Sequence, residues 1–228
     1  MQAPSQSPST RRRSPEGSAS ISRRLLTLCA GLLIMAFGVA FSIKAGLGTS
    51  PISSLPYVAS LLTPLTVGTA TIVMHCAFIL LQILLLRRRY QPVQLAQLPV
   101  ALLFGYLTDF AVWALQPIPQ PGSYPMAWLL CLVGILLVGV GVSFEVNARL
   151  VTLAGEGLVL AVCTVFGPPF PKAKIGFDCT LVLLSVILGL AGLGYLAGVR
   201  EGTVAAAMCV GLAAKAVTRV VFRPAQSE

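Results

Sequence analysis

Charge is scarce in this chain, and acid is scarcer still. Only 10% of the 228 residues are charged, with seven Asp and Glu against sixteen Lys and Arg. A soluble domain carries about a quarter charged residues, so a water-covered surface is excluded for most of the chain. Histidine is almost missing, His75 being the single one. The six cysteines (Cys29, Cys76, Cys131, Cys163, Cys179, Cys209) all lie inside apolar stretches, and none forms a CxxC pair. Free thiols are therefore expected, rather than disulfides or a metal centre. No cofactor is expected. The chain also lacks a Walker loop, HExxH, GxSxG and a dinucleotide fingerprint, so nothing argues for an enzyme and no catalytic residue is named. Regular apolar/polar alternation is missing too, which excludes a transmembrane barrel.

What remains is hydrophobic: 56% of the residues, with a mean hydropathy of +0.87. The apolar runs are Leu25–Ile43, Ile52–Leu62, Val67–Leu86, Leu95–Leu115, Met126–Val146, Leu150–Phe166, Ile175–Ala197 and Thr203–Val221. Runs of this length read as membrane helices. The expected fold is all-α, a polytopic transmembrane helix bundle. The net charge of +9 is read as loop and terminal cations that set topology, not as a nucleic-acid surface. The expected divisions are a disordered basic cytoplasmic tail over 1–20, a first membrane repeat over 21–115, and a Pro-rich external linker over 116–125. A second repeat over 126–221 and a tail over 222–228 follow.

A polar break occurs twice. Lys44–Pro51 follows the first run, and Asn147–Ala154 follows the fifth. Sliding Gly31–Leu86 by 103 positions superposes Gly31 on Gly134, Gly38 on Gly141, Phe41 on Phe144, Thr49 on Thr152 and Cys76 on Cys179. If all eight runs crossed, Lys44, Arg87–Arg89, Arg149 and Arg200 would all lie outside. If the second and sixth runs re-enter, only Lys44 and Arg200 do, which obeys the positive-inside rule better. Each half then crosses three times, and the repeat is inverted: about 3+3 spans plus one short or re-entrant helix per half. Ile52–Leu62 supplies about 17 Å of helix against a hydrocarbon core of about 30 Å. The sixth run is longer, and it could span.

Paired breaks near the midplane are where transporters place their sites. Thr49-Ser50-Pro51 reads as a hydroxyl cap followed by Pro at the first helical position, with Thr152 in the matching place. Two such helix starts favour a small polar or anionic solute. Thr49, Ser50, Thr152 and Glu156 are the expected solute-binding residues. Intramembrane ionisable groups supply the rest: Lys174 and Asp178 at i, i+4, with His75, and an Asp109–Lys215 pair bridging the halves. Each has a structural alternative: an interfacial salt-bridge network, a satisfied interior histidine, an ion pair that only locks the bundle. Thr203 is expected to cap the last helix. The competing function is a non-transporting accessory or scaffold protein. The expected surroundings are lipid, a small solute, and a further copy or another membrane component.

The segments Lys44–Pro51 (KAGLGTSP), Val67–Thr69, Leu103–Asp109 (LFGYLTD), Gly155–Leu158 (GEGL), Lys174–Asp178 (KIGFD) and Val199–Thr203 (VREGT) together resemble the YczE/YyaS/YitT group of small bacterial membrane proteins. The likeness runs from about Arg24 to Val221. It implies a multi-pass bacterial inner-membrane protein and carries over no substrate; the cytoplasmic placement of both termini is expected from the cation count. Some of that group show a Gly-Pro-Arg-Asp type pattern where this chain has Ala154–Gly157, so no function is transferred between those branches.

Overall fold

The computed structural model describes residues 20–222. The expected tails lie, but for Ser20 and Phe222, outside them. All secondary structure among the described residues is helical: α1 (Ile21–Ala45), α2 (Pro51–Leu62), α3 (Val67–Leu86), α4 (Gln97–Ala114), α5 (Tyr124–Ala148), α6 (Ala154–Phe166), α7 (Phe170–Leu193) and α8 (Glu201–Val221), with short 3-10 turns at Arg87–Arg89 and Pro92–Ala96. Six helices are long and apolar enough to cross a membrane, and α2 and α6 are shorter. This is a multi-pass membrane protein. The sixth run is cut down because Leu150–Leu153 stays outside the helix, so α6 has only 13 residues.

The bundle is centred on α1 against α5, its most extensive contact. They run antiparallel: Arg24 at the start of α1 donates through Nε to Ala148 O at the end of α5 (2.8 Å), and through a second guanidinium nitrogen to Arg149 O. A cation on a helix C-terminus also meets the negative end of its dipole. Between lipid-soluble helices the hydrophobic effect provides little association, so close backbone packing has to provide it. Glycines make that approach here. A Cβ built on Gly38 would lie 2.6 Å from Val138 N, and one on Gly141 would lie 2.6 Å from Gly31 O.

The other helices flank this pair. α4 packs on α1 and α8 packs on α5. The short helices pack across the halves, α2 on α7 and α6 on α3. Ser54 Oγ is 2.9 Å from Ser185 Oγ, and Leu62 meets Gly192 near the end of α7. Thus α2 starts beside the middle of α7 and runs parallel to its second half. Adjacent α3 and α4 pack closely at Gly68 and Gly105, whereas adjacent α7 and α8 share at most a marginal contact.

Candidate functional site

A cavity of about 260 Å³ sits where α1, α3 and α5 meet the starts of α2 and α6. Its wall is mostly apolar, from Met35, Val39, Met74, Phe104, Val138, Val142 and Val210. Its polar groups are Ser50 and Ser53 of α2, Thr71 and His75 of α3, Glu156 of α6, and Lys174 and Asp178 of α7. Residues 206, 207, 210 and 211 of α8 complete the lining.

Each polar group is held by local structure. Pro51 occupies the first helical position of α2 and Ser50 its N-cap. The Ser50 side chain makes no backbone cap bond but donates to Ser53 Oγ (3.0 Å), while Ser50 O accepts from the N–H groups of Ser53 and Ser54. Pro56, also in the wall, has no N–H, so the Ile52 carbonyl four residues earlier lacks its α-helical donor. His75 is 1% exposed and makes edge contacts with Phe78 and Phe104, with ring centroids 6.0 and 6.2 Å away. Its Nδ1 has no hydrogen-bond partner. Lys174 Nζ is 2.5 Å from Asp178 Oδ1 and 5.5 Å from the Phe177 ring centroid. Glu156 stands in the first turn of α6, where an acid is favoured by the helix dipole. No ion pair to Glu156 occurs among the described residues.

The expected solute-binding set divides. Ser50 and Glu156 line the cavity; Thr49 and Thr152 do not. Thr49 faces a second pocket of about 350 Å³ with Ser42, Tyr57, Tyr195 and Arg200, and Thr152 faces a third of about 260 Å³ with Gln94, Gln97, Glu145 and Arg149. Thr152 is not the cap of α6: Leu153 holds that position, because the backbone turns into the helix one residue later than expected. Glu145 does the polar work instead, its Oε1 accepting the Leu153 N–H at 2.7 Å. Thr203 does cap α8, though from its third position rather than as the N-cap residue, which is Arg200: its Oγ1 accepts the Arg200 N–H at 3.3 Å in a capping box.

The Asp109–Lys215 bridge is not formed. The two residues stand on α4 and α8, which pack on different central helices. Lys215 is exposed. Asp109 instead secures the start of α3, accepting from Thr66 Oγ1 (2.6 Å) and Gly68 N–H (2.7 Å). Asp109→Ala frees both donors and is expected to cost about 1–2 kcal/mol, seen as a lower melting temperature in detergent. Lys215→Ala should leave that temperature unchanged.

Gln82 and Gln97 escaped the sequence reading, and Glu145, near the end of its apolar run, received no role from it. Glu145 is 2% exposed, and Gln82 and Gln97 are buried beside α6. Gln82 Nε2 donates to Gln97 Oε1 and Ala154 O, both at 3.0 Å, and so ties α3, α4 and α6 together. The signal was present: a glutamine within an apolar run has to find an interior partner.

Residues 22–219 match a family described as "Family of unknown function (DUF6198)". The chain belongs to this DUF6198 family. Among curated members of the proteome of Haemophilus influenzae, an "Uncharacterized protein" is 25% identical over 164 residues, 72% of each chain. The "Uncharacterized protein YyaS" of Bacillus subtilis is 27% identical over 153 residues, 67% of this chain and 72% of that one. Resemblance to the YczE/YyaS/YitT group is thereby shown. No solved structure matches this DUF6198 chain.

Proposed function

We propose that the protein is a transporter that carries a small polar solute through the central cavity by alternating access, with its two halves related as an inverted repeat. The observation that carries the reading is the central cavity, walled by equivalent positions of both halves. In the 103-residue register, Met35 pairs with Val138, Val39 with Val142, Ser53 with Glu156, Thr71 with Lys174 and His75 with Asp178, and all of these line it. The second and third pockets also correspond, through Ser42 and Glu145, Thr49 and Thr152, Tyr57 and Leu160, and Arg200 and Gln97.

Helix packing supports the same relation. Exchanging α1 with α5, α2 with α6, α3 with α7 and α4 with α8 turns α1·α4 into α5·α8, and α2·α7 into α3·α6. The contact α3·α4 alone among the substantial ones has no counterpart of similar extent, since α7 and α8 touch marginally at most. In alternating access such an asymmetry is one state, and the exchanged packing is the other. The antiparallel course of α1 and α5 supports inversion. Had α2, α3 and α4 all crossed, α5 would run parallel to α1. A short α2 that turns back resolves the parity and places Arg87–Arg89 on the side of the N-terminus, which is cytoplasmic by the positive-inside rule in a bacterial inner membrane.

The solute is polar without being anionic. Pro51 contributes no N–H, and the N–H groups of Ser53 and Ser54 are bound to Ser50 O. Glu145 and Glu156 already stand at the start of α6. Neither helix start keeps the row of free N–H groups that an anion needs.

Single cysteines in a cysteine-free background test this reading. Ala207→Cys, in the cavity wall, is expected to react with a membrane-impermeant maleimide, and Arg89→Cys only from the cytoplasmic face. An Ala207→Cys inert from both faces ends the transport reading and leaves the accessory protein. An Arg89→Cys labelled from outside ends the inversion.

A further inference from the structure

We infer that the ligand of the central cavity is an amphipathic amine that enters from the bilayer between α7 and α8. This rests on the transporter reading and names its substrate class. The first observation is the loose seam, where α7 and α8 share no extensive contact. Adjacent α3 and α4 are so close that a Cβ on Gly68 would lie 2.6 Å from Asp109 Oδ2, but nothing lies within 4 Å of a Cβ on Gly211 of α8. Gly211, Lys174 and Asp178 all border the cavity, so the seam leads into it. Six long apolar helices place the bilayer around that seam, and a solute dissolved there has an apolar part.

The wall says what such a solute looks like. Met35, Val39, Val138 and Val142 offer an apolar surface, with no polar group to satisfy. The polar groups opposite are mainly acceptors. Lys174 lies 2.5 Å from Asp178 and also faces Glu156, so in the cavity lining one cation stands against two carboxylates. The Ile52 carbonyl lacks its helical donor because of Pro56. His75, nine-tenths buried and more, keeps an unpartnered Nδ1 that accepts in one tautomer. An ammonium group, three donors and one positive charge, supplies what these groups lack, and an aliphatic tail of several carbons fills the apolar part.

Binding is tested on the full chain in lipid nanodiscs with four probes: n-octylamine, ethylamine, 1-octanol and n-octyl sulfate. A ligand of the native state raises its melting temperature. Octylamine is expected to do so, the tailless amine and the neutral or anionic amphiphiles far less. Glu156→Gln keeps the shape and removes the charge, and should need about tenfold more octylamine for the same shift. Gly211→Phe, at an open position, should also weaken the octylamine response while leaving the unliganded melting temperature unchanged. An equal shift from octyl sulfate, or an undiminished octylamine shift in Glu156→Gln, overturns the assignment. Either result leaves cysteine labelling at Ala207 untouched, so this failure and that of the transporter reading are distinguishable.

Discussion

Gly38→Val is expected to abolish the folded protein. At this position α1 crosses α5, and a Cβ would lie 2.6 Å from Val138 N and 2.8 Å from Gly134 O. Both are main-chain atoms of a helix, so no rotamer change relieves the clash. Overpacking against movable side chains costs about 1–3 kcal/mol, and displacing a backbone costs more. The loss extends beyond one contact. Ser42 Oγ, which bonds Gly38 O at 3.0 Å, lies against Gly134, and Gly31 and Gly141 repeat the close approach one helical stretch away. Prying α1 from α5 removes the frame on which α4 and α8 pack. Size-exclusion chromatography of a fluorescent fusion should show aggregate in place of the monodisperse peak. Gly176→Ala is the control: nothing lies within 4 Å of its Cβ, it sits inside α7, and replacing helical glycine by alanine should stabilise by about 0.5–1 kcal/mol. Equal behaviour of the two variants would remove the glycine seam as the organising contact.

Glu145→Leu carries the second large effect. Its carboxylate is 2% exposed and is the acceptor for the Leu153 N–H, 2.7 Å away, at the residue that starts α6. Leucine removes the acceptor and leaves a buried N–H where water does not replace it. Unsatisfied buried groups cost about 1–3 kcal/mol. A fall in stability of about 2 kcal/mol is expected. Glu145→Gln keeps a carbonyl oxygen at the same reach and should lose less than half as much. The pair of variants, read as thermal melts of purified protein, separates the hydrogen bond from mere filling of space. Equal losses for Gln and Leu would show that the Leu153 N–H does not depend on residue 145.

Much of this architecture could be read directly. The eight helices and the shortness of the second follow from runs of apolar residues, since a bilayer demands both length and internal hydrogen bonding; the shortness of α6 came only with Leu150–Leu153 left outside the helix. The start of α2 follows from Ser50 and Pro51, and the Lys174–Asp178 pair from its i, i+4 spacing. Those are local features, decided within a turn or two of helix. The start of α6 was misplaced at Thr152 because its polar partner, Glu145, belongs to another helix. Asp109 was assigned to Lys215 when its partners are Thr66 and Gly68, which the α3–α4 packing brings to it.

By itself, then, the order of residues determined that this is a membrane protein, where its apolar runs lie, that the second run is too short to cross, and which few polar side chains have to find company inside. Only the tertiary structure decided the company: Ser53, His75, Glu156 and Asp178 share one cavity, Thr49 and Thr152 occupy separate pockets, and Lys215 faces outward. The reason is physical. Hydropathy and helix capping act along the chain at short range, whereas the convergence of side chains depends on how closely two backbones approach, and glycines facing each other across α1 and α5 set that distance.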